Sequence, residues 1–362
     1  MSLEVIYVTR HGFRSPWIVD PSTGDYTASV RSPTGLPTDP ALAAHGVEQA
    51  EELAMHLLKL DPPIEQVYSS PYFRCLQTVQ PFVRKRVQSF EHDAADFPFK
   101  IRADLGLSEW YGVASFQHPT PAPLDKLQSF FPELDPNYVS TLAPPRNGES
   151  IPQLYNRVAG AIDAIIKRSD QEGRRAILLS THAAVVISLG RVLTGRLPED
   201  VQEIDFHAFT CGLSVYRRQG VNRKKTVVDA DDRTDLSNIK GMAPDSSTAW
   251  REGQIREARS DAYTEPDHAQ CADQHPQNPR EDNPGSSWRG GPRAYGGWIC
   301  EANSDCSFLR CGEERGWKFS GDESFINVEG MHPSDAVSGP VDRTRLGSLN
   351  SHAEPVAGNS KL

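Results

Sequence analysis

Six side chains at four places in the sequence could together hold and transfer a phosphoryl group. They are three arginines, two histidines and one glutamate, namely Arg10, His11, Arg14, Arg74, Glu109 and His182. A guanidinium presents a planar fork of N–H donors that matches phosphate oxygens, and it stays charged at physiological pH. A neutral imidazole can attack phosphorus, and a carboxyl group can exchange a proton with the leaving oxygen. Each residue alone could equally form a surface ion pair or be solvated, so the prediction depends on their being brought together.

The elements predicted around these residues would bring them to one edge of a sheet. Short apolar runs that favour strands lie at residues 3–9, 66–69, 100–103, 175–180, 213–217 and 225–229. Helical spacing of apolar residues predicts helices at 46–60, 71–87, 151–166 and 183–193, whereas the proline-rich stretch 117–148 predicts an irregular lid or insertion. The alternation indicates an α/β fold, a three-layer, doubly wound and mostly parallel sheet with helices on both faces. The carboxyl ends of such strands meet in one crevice, where ligands bind.

Composition divides the chain near residue 230. Among the first 230 residues, 63 are Leu, Ile, Val or Phe, against 16 of the remaining 132. The second proportion lies below the roughly 20% under which a chain struggles to form a core. The net charge of −10 is also uneven, because the first part carries −2 and the second −8. We therefore predict a folded domain over 1–230, a disordered linker over 231–297 and a disordered tail over 329–362.

An apolar island, residues 298–328, interrupts this tail. It holds eight large apolar side chains among acidic residues and glycines: Trp298, Ile299, Phe308, Leu309, Trp317, Phe319, Phe325 and Ile326. About 30 residues cannot build a self-sufficient core. The island is therefore either a disordered stretch with scattered aromatic residues or a segment that docks on the folded domain or on a protein partner.

Several classes of protein are excluded by the same sequence. The apolar run 5–8 is too short to span a membrane, and it leads into Arg10 and His11 rather than a signal-peptide cleavage site. The acidic balance argues against direct nucleic-acid binding. Three of the six cysteines lie close together without a Cys-x2-Cys pair, namely Cys300, Cys306 and Cys311. We predict free thiols rather than a zinc site there, no metal or cofactor, and a reducing compartment, the cytoplasm or the nucleus.

The order and spacing of the motifs resemble those of the histidine phosphatase superfamily, which has the phosphoglycerate-mutase-like fold. The resemblance covers about residues 4–230. It is carried by five stretches, Tyr7-Val-Thr-Arg10-His11-Gly12, Ala44-His-Gly46-Val-Glu-Gln49-Ala50, Ser69-Ser-Pro-Tyr-Phe-Arg74-Cys-Leu-Gln-Thr78, Gly148-Glu-Ser150 and Ser180-Thr-His182.

This resemblance implies a role for each of the six side chains. His11 would attack a phosphomonoester and form a phosphohistidine, and Glu109 would act as acid and then base. The phosphoryl oxygens would be held by Arg10, Arg14, Arg74 and His182. The family's chemistry needs no metal, because the arginines supply the positive charge.

Two further features narrow the expected substrate and suggest an alternative. The run 6–17 is similar to a fungal branch that contains the phosphatase-bearing subunit of the RNA polymerase III initiation factor. Phe13 replaces the Glu or Asn of mutases, and with Trp17 and Trp110 it suggests an aromatic rim for an aryl or peptide phosphate. The first hypothesis is therefore a phosphomonoesterase. The alternative, motivated by the acidic tail and residues 298–328, is a scaffold subunit of a transcription or signalling assembly.

Overall fold

A mostly parallel sheet of six strands forms the centre of the molecule. The computed structural model describes residues 2–20, 22–88, 99–220 and 296–320. In chain order, the strands described are β1 (Val5–Arg10), β2 (Trp17–Val19), β3 (Tyr26–Ala28), β4 (Gln66–Ser69), β5 (Ile101–Ala103), β6 (Ala176–Thr181), β7 (Leu213–Arg218) and β8 (Trp298–Asp305). The order across the large sheet is β5-β4-β6-β1-β7-β8, and β2 pairs separately with β3. The first four of these strands run parallel, whereas β7 and β8 pair antiparallel.

Helices cover both faces of this sheet. They are α1 (Ala44–Leu57), α2 (Phe73–Gln88), α3 (Leu124–Phe130), α4 (Ile151–Gln171) and α5 (Ala183–Thr194). Successive residues of a strand point to opposite faces. Val5 and Tyr7 of β1 therefore pack on the side of α1 and α2, whereas Ile6 and Val8 pack on the side of α4 and α5. The predicted three-layer α/β fold is confirmed.

Local signals in the sequence set the ends of two helices next to the site. Ser150 caps α4 by accepting a hydrogen bond from the backbone of Gln153, whose side chain bonds back to Ser150. Gly195 ends α5 with φ of 73°, a left-handed conformation that glycine adopts without the cost of a Cβ clash. The N-terminal ends of both helices lie at the carboxyl edge of the sheet, where the candidate residues are.

The structure contains elements that were not predicted, among them the helix α3 and the strand β8. The stretch 117–148 was expected to be irregular, but it contains the short helix α3, whose Leu127 is buried. The strand predicted at 213–217 is β7, and its outer neighbour in the sheet is β8. The strand predicted at 225–229, most of the linker 231–297 and the tail 329–362 lie outside the described residues. None of the helices in the described ranges has the length and apolar character needed to cross a bilayer.

Residues 296–320 pack against the rest of the folded unit. Strand β8 places Trp298 opposite Arg218 of β7, with the guanidinium 5.2 Å from the indole centroid. Trp298 and Phe319 are both buried against the side of the sheet that carries α4 and α5. The two aromatic side chains Trp298 and Phe319 are thus part of the core of this chain. The remainder of the apolar island, residues 321–328, lies outside the described residues.

Candidate active site

Two histidine rings face one another at the carboxyl edge of the sheet. His11 follows β1 and His182 follows β6, and the two strands are parallel neighbours with Arg10 opposite Thr181. The ring centroids lie 5.4 Å apart with planes inclined at 67°. Both side chains are buried. The pairing of β1 with β6 therefore fixes the distance between the two rings. Their proximity was predicted, because each histidine directly follows a strand of the parallel sheet.

A glutamate and an arginine complete this cluster. Terminal nitrogen Nη2 of Arg74 lies 3.1 Å from Oε2 of Glu109 and 3.2 Å from Nδ1 of His182. Arg74 enters from the first turn of α2, and Glu109 follows a 3-10 turn (Leu105–Leu107) after β5. The guanidinium of Arg74 is fully buried, whereas the side chain of Glu109 is 16% exposed. Four elements thus bring these side chains to one point.

The surroundings of His11 decide which of its ring nitrogens can react. Nδ1 lies 2.8 Å from the carbonyl oxygen of Gly12, and since a carbonyl only accepts, Nδ1 carries the proton. Nε2 then has a free lone pair. Burial, together with the charges of Arg74 and Arg10, holds the pKa of His11 well below its usual value. His11 is therefore a neutral imidazole with Nε2 available as a nucleophile.

His182 and Glu109 are both held in their deprotonated forms, a neutral imidazole and a carboxylate. Nε2 of His182 lies 2.8 Å from Oγ of Ser70, and Nδ1 lies 3.1 Å from Oε2 of Glu109. Burial lowers the pKa of His182 to about 4 in spite of the nearby Glu109. Burial acts to raise the pKa of Glu109, but His182, Arg74 and Arg14 outweigh it, and that pKa lies well below its usual value. In the ligand-free site Glu109 is a carboxylate.

Two further arginines add positive charge to this centre. A terminal nitrogen of Arg10 donates to the carbonyl oxygen of Ala208 at 2.8 Å and also to that of Arg315. Its buried Nε has no hydrogen-bond partner among the described residues. Arg14 donates to the carbonyl of Ser15 at 3.1 Å and lies 4.8 Å from the ring centroid of Trp17. Both guanidiniums contribute to lowering the pKa of His11.

Comparison with known proteins identifies this arrangement. The family model described as histidine phosphatase superfamily (branch 1) matches residues 6–230, more than half of the chain. The chain belongs to the histidine phosphatase superfamily. It is 33% identical over 260 residues to the transcription factor tau 55 kDa subunit of Saccharomyces cerevisiae, covering 69% of this chain and 54% of that protein. It is 29% identical over 224 residues to an ecdysteroid-phosphate phosphatase of Drosophila melanogaster, covering 55% of this chain and 28% of that protein.

The solved structures that the chain resembles are more distant in sequence. An ecdysone phosphate phosphatase from Bombix mori in complex with tungstate is 19% identical, with a TM-score of 0.41 over 59% of this chain and 89% of that one. A phosphoglycerate mutase from Bacillus anthracis is 18% identical, with a TM-score of 0.36 over 60% and 89%. The chain spans about half or less of the length of the curated relatives that it matches.

The histidine phosphatase motifs also contain polar residues to which the sequence assigned no role. Thr78 accepts from the backbone N–H of Gly12 at 3.0 Å, and Gln49 accepts from that of Phe13 at 3.0 Å. The loop approaches α1 so closely that a Cβ on Gly46 would lie 2.1 Å from the carbonyl oxygen of Phe13. Together these contacts hold the loop that carries His11. Thr78, Gln49 and Gly46 all belong to the motifs quoted above, and that is the sequence signal from which their role could have been predicted.

Asp39 is a buried residue that no motif indicated. Its Oδ1 accepts from the backbone N–H of Phe73 at 2.7 Å and lies 3.6 Å from Arg74. Burial raises the pKa of Asp39 to about 6, against the attraction of Arg74. Asp39 therefore anchors the start of α2 and, with the carbonyl of Thr38 at 2.9 Å, orients the guanidinium of Arg74.

The predicted aromatic rim is wrong for two of its three members, Trp17 and Trp110, which are both buried. Trp110 is buried against Trp317 and Phe319, and its Nε1 donates to the carbonyl oxygen of Glu149 at 2.8 Å. Its indole belongs to the core cluster on the side of the sheet that carries α4 and α5. Phe13 is half-buried in the loop that carries His11, and Trp17 lies in a small core cluster close to Arg14.

Proposed function

We propose that this chain is a metal-independent phosphomonoesterase that acts through a phosphohistidine on His11. The observation that carries the proposal is the meeting of His11, His182, Glu109 and Arg74 at one buried point. A phosphate placed there would contact a nucleophile, a proton carrier and a fixed positive charge together.

The proposed reaction has two steps. In the first, the lone pair on Nε2 of His11 forms a bond to phosphorus while the bond from phosphorus to the ester oxygen breaks. The electron pair stays on the ester oxygen, which takes a proton from Glu109. In the second, Glu109 removes a proton from water, whose oxygen attacks phosphorus, and the bond to Nε2 breaks with release of phosphate. Arg10, Arg14, Arg74 and His182 would hold the other phosphoryl oxygens, which carry the charge in both transition states.

The proton on Glu109 must arrive with the substrate. The carboxylate is ionised in the ligand-free site because of the surrounding cationic groups. A bound phosphate brings negative charge that offsets those cations, and this raises the pKa of Glu109. A phosphomonoester that enters as a monoanion can therefore transfer its own proton to Glu109.

Metal independence is supported by the position of Arg74. Ligand atoms of His11, Glu109 and His182 all lie within 4.8 Å of one another, a spacing that a metal ion could also bridge. The guanidinium of Arg74, however, contacts both Glu109 and His182 and is completely buried. A divalent cation bound there would be repelled by this fixed charge, whereas a phosphate would be attracted.

Hydrolysis of an aryl phosphate by the full chain tests this proposal. His11→Ala is expected to lower kcat/KM by at least about a thousandfold, because it removes the proposed nucleophile. The exposed His207 provides the matched control, and His207→Ala is expected to retain the wild-type rate. Equal rates for wild type and His11→Ala would reject the phosphohistidine mechanism.

A second role rests on a different observation, the 33% identity to the transcription factor tau 55 kDa subunit. We propose that the chain also serves as a subunit of a transcription assembly in the nucleus. Chromatin immunoprecipitation of the tagged full chain is expected to enrich genes transcribed by RNA polymerase III, with wild type and His11→Ala enriched equally. A uniform signal over the genome would contradict this role and leave the enzymatic proposal unaffected.

A further inference from the structure

Residues 306–320, here called the returning segment, pack beside the loop that carries His11, although the two are far apart in sequence. Glu314 anchors the segment there. Its Oε2 accepts from Nε2 of Gln49 at 2.7 Å and lies 2.5 Å from Nε2 of His45, and its carbonyl oxygen accepts from the backbone N–H of Thr210 at 3.1 Å. Gln49 also binds the backbone of Phe13. The segment is thus tied to the loop that carries His11.

Arg315 follows this anchor in a conformation that arginine seldom adopts. Its φ is 52°, in the left-handed region that favours glycine. Strained residues of this kind concentrate at ligand clamps and catalytic sites, where surrounding contacts hold them. Here the contact is with Arg10, which donates a hydrogen bond to the carbonyl oxygen of Arg315. The backbone of Arg315 therefore helps to orient a guanidinium of the proposed phosphate site.

The side chain of Arg315 lies on the outer side of the same loop. It is exposed, and its guanidinium carbon lies 4.5 Å from the ring centroid of Phe13. Phe13 is two residues from His11, and Arg10 donates to the carbonyl oxygen of Arg315 at an exposed position, so the cation lies on the exposed side of the loop that carries His11. Its charge also lowers the pKa of Arg10, which indicates electrostatic contact between the two. Positive charge therefore continues outward from the phosphoryl position.

We propose that Arg315 selects substrates, by binding a carboxylate next to the phosphorylated residue of an acidic peptide. This inference rests on the proposed phosphatase function and names its substrate class. A guanidinium forms paired hydrogen bonds with a carboxylate. One stacked on an aromatic ring at the mouth is already oriented, so less conformational entropy is lost when the partner binds. A peptide without the acidic side chain would gain only the phosphoryl contacts.

Two phosphotyrosyl peptides that differ only in Asp or Asn beside the phosphotyrosine test the inference on the full chain. Wild type is expected to prefer the Asp peptide, and Arg315→Gly to reduce that preference by about tenfold, mainly through KM for the acidic peptide. Glycine adopts φ of 52° readily, so this variant preserves the backbone carbonyl that binds Arg10. Arg315→Lys is expected to keep part of the preference.

Arg310 provides the control, because it lies on the same segment and pairs instead with Glu48 and Glu52 of α1. Arg310→Ala should show the wild-type preference. The inference is overturned if Arg315→Gly lowers kcat/KM equally for both peptides or leaves both values unchanged. It is also overturned if wild type does not prefer the Asp peptide. If wild type hydrolyses neither peptide nor an aryl phosphate, the proposed function fails first.

Discussion

Oε2 of Glu109 lies 3.1 Å from Nδ1 of His182, at the centre of the cluster that would transfer the phosphoryl group. Nδ1 of His182 also lies 3.2 Å from Nη2 of Arg74, and Nε2 lies 2.8 Å from the hydroxyl of Ser70, which can donate or accept. Burial lowers the pKa of His182 to about 4, so His182 meets the site as a neutral hydrogen-bonding group and not as a cation. In the proposed mechanism the leaving group therefore takes the proton that the substrate brings to Glu109.

Glu109→Gln is expected to reveal the general acid through its dependence on the leaving group. An amide cannot donate a proton as an acid does, so kcat for an alkyl phosphate should fall by about a hundred- to ten-thousandfold. For an aryl phosphate with a good leaving group, the rate constant of the phosphorylation step should fall much less. Steady-state and burst kinetics with both substrates check this, and Glu313→Gln, an exposed residue, is the control. Equal losses of the phosphorylation rate constant for both substrates would contradict the assignment of Glu109 as the acid.

Arg74→Lys is expected to impair both activity and folding although the charge is kept. An ammonium cannot contact Glu109 and the carbonyl of Thr38 in the same fixed geometry. We expect kcat/KM to fall by about a hundredfold or more and the free energy of unfolding by about 2 kcal/mol. Arg84→Lys, at a half-exposed site paired with Glu133, should change stability by less than about 0.5 kcal/mol. Urea unfolding and enzyme assays measure the two effects.

Removal of divalent metal is expected to leave the hydrolysis rate unchanged. Arg74 already supplies positive charge between Glu109 and His182. The measurement is the rate on an aryl phosphate after dialysis against a chelator, followed by addition of Mg²⁺, Mn²⁺ or Zn²⁺. A rate that falls after chelation and returns with one ion would reject a metal-independent mechanism.

Trp298→Ala and Ile299→Ala are neighbouring substitutions with very different expected effects on stability. Trp298 is 2% exposed and lies in the core, whereas Ile299 on the other face of β8 is 54% exposed. The first should lower the free energy of unfolding by about 3–5 kcal/mol through the lost burial and the cavity left behind. The second should change it by less than about 0.5 kcal/mol. Similar small effects for both would show that β8 contributes little to the fold.

His118 is expected to make stability fall as the pH is lowered. Burial lowers its pKa to about 4, whereas an unfolded histidine titrates near 6.5. Between these values the unfolded chain binds more protons, so the free energy of unfolding decreases with falling pH through this window. His118→Phe should flatten this slope, although it also removes the contact from Nε2 to the carbonyl of Gly112. His207→Phe is the control, and thermal unfolding at several pH values measures the slopes.

The centre of the site could be predicted because it depends on short-range signals. His11 and His182 each follow an apolar run directly, and in a parallel sheet that position alone sends both to one edge. Arg74 and Glu109 follow β4 and β5, and they lie at the same edge of the sheet for the same reason. The site is therefore encoded in the order of strands and turns, which the sequence displays.

The outer part of the site could not be predicted in this way. Arg315 reaches Phe13 only because β8 pairs with β7 and Glu314 binds Gln49, and neither contact has a local sequence signal. Trp110 was misplaced for a related reason. Its indole packs on Trp317 and Phe319, whose position depends on the same long-range pairing.

The pairing of β7 with β8 makes the burial of β8 depend on its register. Trp298 lies opposite Arg218, and a shift by one residue would turn Trp298 outward and Ile299 into the core. A single insertion within β8 would therefore reverse which of its side chains meet the core, although every backbone pair of the strand could still form. Related chains should therefore keep an apolar residue at the start of β8.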